Sequence, residues 1–298
     1  MSEDHHKHSI ENTSTGCLML TMALNFIITI TELIGGILSG SLSLMSDALH
    51  NFSDGFAIIV SYIAIRLNKR PRTKKFTFGL KRAEIIAAIF NASTLIIISF
   101  FLIKEAYQRF INPEPISGSL MIIVAGIGLA ANVAGSLLLH RGSKESMNIR
   151  SVYLHLFGDA ISSLTVILGG IFIKFFAIYW IDPLLTVLIA IYVLWGRMYI
   201  IRDAIRVVMM AAPSGISIDE IAKEIEKIDG VKNVHHVHIW EMNEKDIHFE
   251  AHVEVEDMMV SQTEAIGRSI QEMLKHKFNI NHTTLQFEYN LCKSKELI

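Results

Sequence analysis

Cysteine is scarce in this sequence, and its scarcity excludes a disulfide-stapled domain. Only Cys17 and Cys292 occur among the 298 residues, near opposite ends of the chain. Two such distant residues form neither a disulfide framework nor a CxxC metal motif. Strong charge of either sign is also lacking, because the formal net charge is −2. The composition therefore gives no reason to expect a nucleic-acid partner.

The first 16 residues lack the basic region and short apolar stretch of a cleaved signal peptide. They are polar and contain His5, His6 and His8. We expect residues 1–16 to form a flexible cytosolic tail. A loose metal-capturing tail and a plain disordered terminus both fit this composition.

Long apolar runs are abundant. Apolar residues make up 51% of the chain, the mean hydropathy is +0.40, and the runs are concentrated before residue 208. A membrane helix needs about 20 mostly apolar residues. Six stretches meet this length: Cys17–Ile37, Leu42–Ile65, Phe78–Ile103, Ser117–Leu139, Val152–Ala177 and Pro183–Ile201. We predict an α-helical polytopic membrane domain over residues 17–208, with six transmembrane helices.

The basic residues of the connecting segments predict the orientation. They are concentrated between spans two and three and between spans four and five: Arg66, Lys69, Arg70, Arg72, Lys74, Lys75, Arg141, Lys144 and Arg150. Basic loops stay in the cytoplasm. Both termini are therefore expected in the cytoplasm, and the compact plan suits a bacterial inner membrane.

Residues 209–298 have the pattern of a soluble α+β domain. Their periodicities predict a helix, two strands, an amphipathic helix and a last strand over Ile218–Ile228, Val231–Met242, Ile247–Val255, Ser261–Phe278 and Thr283–Tyr289. The order αββαβ predicts a cytosolic ferredoxin-like, metallochaperone-like domain.

Two predicted spans carry ionisable side chains, which cost at least about 2.5–3.5 kcal/mol each at membrane depth. His50 and Asp54 share one face of span two, and His155 and Asp159 share one face of span five. Two imidazoles and two carboxylates match the tetrahedral shell of Zn²⁺. The two negative charges would also neutralise the dication.

Hydrogen bonding between helices is the alternative role for these four residues. Two histidine–aspartate pairs on two separate spans favour the metal site. Asp47, three residues before His50, is outside this set. It is expected either to orient His50 as an acceptor behind the ligands or to bond backbone near the helix start.

Several local motifs resemble those of cation diffusion facilitators over nearly the whole chain. They are Ser46-Asp47-Ala48-Leu49-His50-Asn51-Phe52-Ser53-Asp54, His155-Leu156-Phe157-Gly158-Asp159, Gly40-Ser41-Leu42-Ser43-Leu44, Phe78-Gly79 with Arg82-Ala83-Glu84, and Val234-His235-His236-Val237-His238-Ile239-Trp240. The paired histidine and aspartate resemble the zinc-preferring branch, of the bacterial zinc, cobalt and cadmium efflux type.

The resemblance implies a secondary active transporter rather than an enzyme. It implies a homodimer that exports cytosolic Zn²⁺ in exchange for protons by alternating access, with Cd²⁺ and Co²⁺ as further substrates. Proton exchange also follows from the residues, because a bound histidine must be neutral and a bound carboxylate ionised.

The resemblance further implies a regulatory zinc site in the cytosolic domain and a charge interlock. By position, the zinc ligands would be His235, His252, His282 and Glu288, and the interlock would join Arg82 to Asp203. A domain that only dimerises is the competing view. Strand alternation predicts that His235 points away from His236 and His238, and that His248 lies on a solvated face.

Two other function classes share features with this sequence. The run His235-His236-Val237-His238 superficially resembles the histidine box of a membrane oxygenase, but it lies on a predicted strand, and no H-E-x-x-H motif is present. A metal channel or receptor without exchange stays open. A flux assay with and without a pH gradient separates a channel from an exchanger.

Overall fold

The computed structural model describes residues 24–140, 147–243, 246–292 and 294–298. Its first six helices are α1 (Leu24–Ser39), α2 (Leu42–Asn68), α3 (Ala83–Ile111), α4 (Gly118–Leu139), α5 (Met147–Phe176) and α6 (Ile181–Val208). Helices α2 to α6 are each long and apolar enough to cross a membrane, and α1 is a shorter apolar helix. The predicted helical membrane domain is thereby confirmed. The start of the first predicted span and the tail with His5, His6 and His8 lie outside the described residues.

The chain divides into two compact units. Residues 63–89 and 201–298 form one unit, and the rest of the described chain forms the other. Helices α2, α3 and α6 therefore contribute residues to both units. In the first unit, α4 packs closely on α5 because glycines line the contact. A Cβ on Gly118 would lie 2.7 Å from the carbonyl oxygen of Gly170.

The start of α2 is capped by a carboxylate from α6. Asp182 is fully buried and accepts hydrogen bonds from the hydroxyls of Ser41 and Ser43, both at 2.6 Å. It also accepts from the backbone N–H groups of Leu42 at 2.7 Å and Ser43 at 3.2 Å. A negative charge at a helix N-terminus satisfies free N–H groups and complements the helix dipole. The cap therefore fixes the beginning of α2 beside the beginning of α6.

We expect Asp182→Ala to destabilise the membrane unit, because it leaves the free N–H groups of α2 buried without an acceptor. The expected loss is about 1–3 kcal/mol. Thermal unfolding of the detergent-solubilised protein measures it, with Asp219→Ala at the exposed first turn of α7 as the control. Equal unfolding temperatures for the two variants would contradict the role given to the cap.

The C-terminal elements are α7 (Ile218–Ile225), β1 (Val231–Asn243), β2 (Asp246–Val255), α8 (Val260–Phe278) and β3 (His282–Glu288). The sheet order is β1-β2-β3, with β1 antiparallel and β3 parallel to the central strand. Phe249, Ala251 and Val253 on β2 form the core with apolar residues of both helices. The predicted αββαβ order is confirmed.

A bulge interrupts β1 among its histidines. The pairing register shifts between His235 and His238, and His236 has a φ of 51°. The rings of His235 and His236 consequently both lie beside His252, with centroid distances of 5.6 and 4.7 Å. His235 is nevertheless 2% exposed, whereas His236 and His238 are exposed and their rings lie 4.8 Å apart, as the predicted alternation requires. The extra residue of the bulge only brings the ring of His236 close to His252 as well.

Candidate functional site: a four-residue metal centre between α2 and α5

The four ionisable residues predicted as metal ligands come together. Helix α2 supplies His50 and Asp54, and α5 supplies His155 and Asp159, each pair one helical turn apart. The Oδ2 atom of Asp54 lies 3.6 Å from the Nε2 atoms of both His50 and His155. The Nε2 atom of His155 lies 3.5 Å from Oδ2 of Asp159. Two nitrogen donors and two carboxylates therefore face one small volume, which suits a divalent metal of borderline softness.

The site is partly open. The side chain of Asp159 is only 6% exposed, whereas that of His155 is 36% exposed. A cavity of about 490 Å³ lies beside the two histidines and is lined on its other wall by residues of α6 between Tyr192 and Ile200. Both imidazoles therefore border this cavity.

Arg197 of α6 also contacts this site, and it is not among the residues predicted from the sequence. Its Nη2 atom lies 3.0 Å from Oδ1 of Asp54 and donates a hydrogen bond to it. The available signal was an arginine inside the apolar run Pro183–Ile201. Such a charge needs a partner at membrane depth. Sequence alone does not say which carboxylate that partner is.

Asp47 does not orient His50. Asp47 is 2% exposed and accepts a hydrogen bond of 2.8 Å from the Ser162 hydroxyl of α5. Among the described residues, Nδ1 of His50 has no hydrogen-bond partner. Asp47 therefore does not accept a hydrogen bond from the His50 ring in this structure, and it instead joins α2 to α5 through Ser162.

A second group of ionisable side chains lies in the cytosolic domain. His235, His252, Glu288 and Cys292 each offer a donor atom, and these atoms all lie within 4.8 Å of one another. The carboxylate of Glu288 is central, with Oε1 2.7 Å from Nε2 of His235 and Oε2 3.3 Å from Nδ1 of His252. The Cys292 Sγ atom lies 3.5 Å from Oε2 of Glu288 and 3.7 Å from Nδ1 of His252.

This cytosolic cluster has the donors and the support of a metal site. Nδ1 of His235 is 2.9 Å from Oδ1 of Asn233, a contact that fixes the ring and leaves Nε2 facing the cluster. Desolvation and the hydrogen bond to Glu288 raise the pKa of the Cys292 thiol. A metal that takes the thiolate would therefore displace a proton.

His282 is not part of the cluster. It pairs with His248 across β2 and β3, whereas Glu288 pairs with Glu254 at the other end of the same two strands. His282 and Glu288 are six positions apart along β3, which corresponds to a length of about 20 Å along the strand. The structure thus brings together three of the four expected residues and adds Cys292.

His248 is buried rather than solvated. It is 7% exposed and lies against the rings of Phe78, Trp240 and His282, at centroid distances of 5.4, 5.4 and 4.4 Å. Burial and the neighbouring His282 lower the pKa of His248. The prediction that His248 lies on a solvated face is wrong, because Phe78 in the segment before α3 covers this end of β2.

Comparison with known proteins decides the family. The family model described as "Cation efflux transmembrane domain" matches residues 18–209, and that described as "Cation efflux protein, cytoplasmic domain" matches residues 213–290. This chain belongs to the cation efflux family. It is a multi-pass membrane transporter with a cytoplasmic C-terminal domain, and it is not an enzyme. The resemblance to cation diffusion facilitators is confirmed.

Curated members of the cation efflux family are similar over almost their whole length. The zinc transporter ZitB of Pectobacterium atrosepticum is 36% identical over 96% of this chain and 90% of its own. A cadmium, cobalt and zinc/H(+)-K(+) antiporter of Bacillus subtilis is 36% identical over 95% and 91%. The metal cation efflux system protein CzcD of Cupriavidus metallidurans is 34% identical over 98% and 92%.

A solved structure, the metal-bound C-terminal domain of the CzcD transporter from Cupriavidus metallidurans, also matches this cation efflux chain. It is 32% identical, covers 24% of this chain and 99% of its own, and has a TM-score of 0.23. The short name of the matching cytoplasmic-domain family, ZT_dimer, implies dimerisation.

The charge interlock expected between Arg82 and Asp203 is replaced by other contacts in the structure. Arg82 donates a hydrogen bond of 3.5 Å to the carbonyl of Val208, and no ion pair joins it to Asp203 in the part of the chain described here. The adjacent Lys81 instead pairs with Asp246 at 2.9 Å. That hydrogen bond lowers the pKa of Asp246 and so favours its ionised form.

Proposed function

We propose that this protein exports Zn²⁺ from the cytosol in exchange for protons, by alternating access. One observation carries the proposal. Four side chains from α2 and α5, namely His50, Asp54, His155 and Asp159, converge with donor atoms 3.5–3.6 Å apart. Zinc accepts two imidazole nitrogens and two carboxylate oxygens in tetrahedral geometry, whereas magnesium and manganese prefer oxygen alone.

Competition at the same four residues would couple metal to protons. Histidine with an ordinary pKa near 6.5 changes charge across a physiological gradient, and a carboxylate must be ionised to hold metal. Loss of protons on the cytosolic side would load the metal, and their gain on the other side would eject it. The names of the relatives support the exchange and add Cd²⁺ and Co²⁺ as further substrates.

The assembly we propose is a homodimer in the cell membrane, in the manner of a bacterial inner-membrane protein, with both termini in the cytoplasm. Residues 1–16 form a cytosolic tail, residues 17–208 form the transport domain, and residues 209–298 form the dimerisation and sensing domain. The basic segment from Arg66 to Lys75 supports this orientation.

In the sensing domain, we propose a regulatory Zn²⁺ at His235, His252 and Glu288, with Cys292 as the fourth ligand. Two imidazoles, one carboxylate and one thiolate form an accepted zinc shell. Zinc bound there would stiffen the end of the sheet on which three of these ligands lie, and the dimer that forms through this domain would tighten. Cytosolic zinc would thereby favour its own export.

Reconstitution of the full-length protein in liposomes tests the transport proposal. With a pH gradient and equal total zinc on both sides, we expect zinc to move against the direction of proton flow and the metal flux to require the gradient. A panel of Zn²⁺, Cd²⁺, Co²⁺ and Mn²⁺ would rank the substrates. No flux with equal zinc, together with flux down an imposed zinc gradient without a pH gradient, would instead identify a channel.

A further inference from the structure

Arg197 places a permanent positive charge at the edge of the transport site. It lies between Gly196 and Met198 in the apolar part of α6, and it pairs with the carboxylate of Asp54 on α2. The arginine side chain is 25% exposed and that of Asp54 is 19% exposed, so solvent screens the pair only in part. A guanidinium stays charged at every physiological pH. This cation is therefore present in every state of the transport cycle.

The two oxygens of Asp54 have different partners. Oδ1 accepts the hydrogen bond of Arg197 at 3.0 Å, and Oδ2 lies 3.6 Å from the Nε2 atoms of both histidines. Arg197 therefore occupies the oxygen that faces away from the expected metal position. A metal ion held by His50, Asp54, His155 and Asp159 would meet Asp54 first through Oδ2, the oxygen nearest both imidazoles. Two-oxygen ligation by Asp54 would bring the dication against the oxygen that already accepts the Arg197 hydrogen bond, and so close to a positive charge that it is disfavoured.

The charge balance of the site changes sign when metal binds. With neutral histidines, the two carboxylates and Arg197 carry one net negative charge, and a dication converts this to one net positive charge. Without the arginine, the same two states would carry charges of minus two and zero. The guanidinium therefore repels the dication and partly neutralises the empty site.

We propose that Arg197 is a positioning residue that keeps Asp54 a one-oxygen ligand and weakens the hold of the site on divalent metal, so that release is fast. The inference rests on the proposed zinc transport and specifies how the site is tuned for it. A transporter needs binding strong enough to load and weak enough to unload. A fixed counter-charge sets this balance without contacting the substrate.

A purely structural role of Arg197 predicts a different experimental result. If Arg197 only neutralises Asp54 to hold α6 against α2, its loss lowers the yield or rate of transport and leaves zinc affinity unchanged or weaker. If it tunes the site, its loss strengthens zinc binding and slows release. The half-saturating zinc concentration and the maximal rate therefore separate the two roles.

The test measures zinc transport by the full-length protein in liposomes, at a pH that keeps the carboxylates ionised. For Arg197→Gln, we expect the half-saturating zinc concentration to fall about tenfold or more and the maximal rate to fall as well. Arg197→Lys keeps the charge and should stay close to wild type in both. Arg202→Gln removes an exposed cation from the same helix and is the matched control.

The outcomes are distinguishable. Wild-type protein that moves no zinc would refute the proposed function itself. Zinc transport in which Arg197→Gln leaves the half-saturating concentration unchanged, or raises it, would overturn the role of Arg197 alone. Should Arg197→Gln fail to fold, Arg197→Met removes the charge without placing a polar group in the span. Zinc titration of that purified variant then gives the same comparison, with tighter binding expected.

Discussion

Zinc transport is expected to fall by more than about 100-fold in both His50→Ala and Asp159→Ala. Each change removes one of four donors that converge between α2 and α5. Asp159→Ala also removes one of the two negative charges that would balance the dication, at a position where the residue is 4% exposed. A dication left with a single carboxylate at this depth is poorly solvated, so the site should no longer load.

The measurement is pH-driven zinc uptake into inverted vesicles, or the liposome assay with purified protein. His140→Ala is a suitable control, because it removes a histidine of the same domain whose ring contacts Tyr153. The control is expected to transport as wild type does. Wild-type rates in either His50→Ala or Asp159→Ala would refute the assignment of the metal site.

The second large effect concerns the cytosolic cluster. We expect Cys292→Ala to weaken zinc binding there by about tenfold or more, and His282→Ala to leave it unchanged. The thiol lies 3.5 Å from Glu288, whereas His282 is at the opposite end of the strand beside His248. The two substitutions thus remove one donor that reaches the cluster and one that does not.

Zinc titration of the full-length protein measures this effect, in an Asp159→Ala background that silences the transport site. His235→Ala should behave as Cys292→Ala does, because its ring contacts the same carboxylate. If His282→Ala and Cys292→Ala weaken binding equally, the cluster is not the regulatory site. If neither has an effect, the domain holds no zinc through these residues and acts in dimerisation alone.

The helical architecture and the four converging residues of α2 and α5 could be predicted from the sequence, because both depend on patterns that repeat at short spacing. Apolar runs of membrane length predict the spans, and a spacing of four residues puts His50 with Asp54 and His155 with Asp159 on single helix faces. Turning the two faces toward each other lets four ionisable groups satisfy one another in lipid. The structure brings these four side chains together as that reasoning requires.

Contacts between residues that are far apart in the sequence could not be predicted. Arg197 is 143 residues from Asp54 in sequence, and Asp182 is 141 from Ser41, so no periodicity connects them. Cys292 follows the last strand in an irregular segment without a spacing motif. The position of His282 depends on strand register, and that of His236 depends on a bulge. A single shifted residue changes which histidines meet.

The cap at Asp182 gives α6 one anchored end. Four hydrogen bonds hold that end to the start of α2, and Arg197 lies 15 residues further along, about 22 Å by helical rise. Because α6 is a continuous helix, a rotation about its anchored end would displace Arg197 much more than the residues near Asp182. A tilt of about 10° would carry the guanidinium through about 4 Å. That displacement is as large as the 3.0 Å contact with Asp54, so a small rotation of α6 would be enough to break the ion pair.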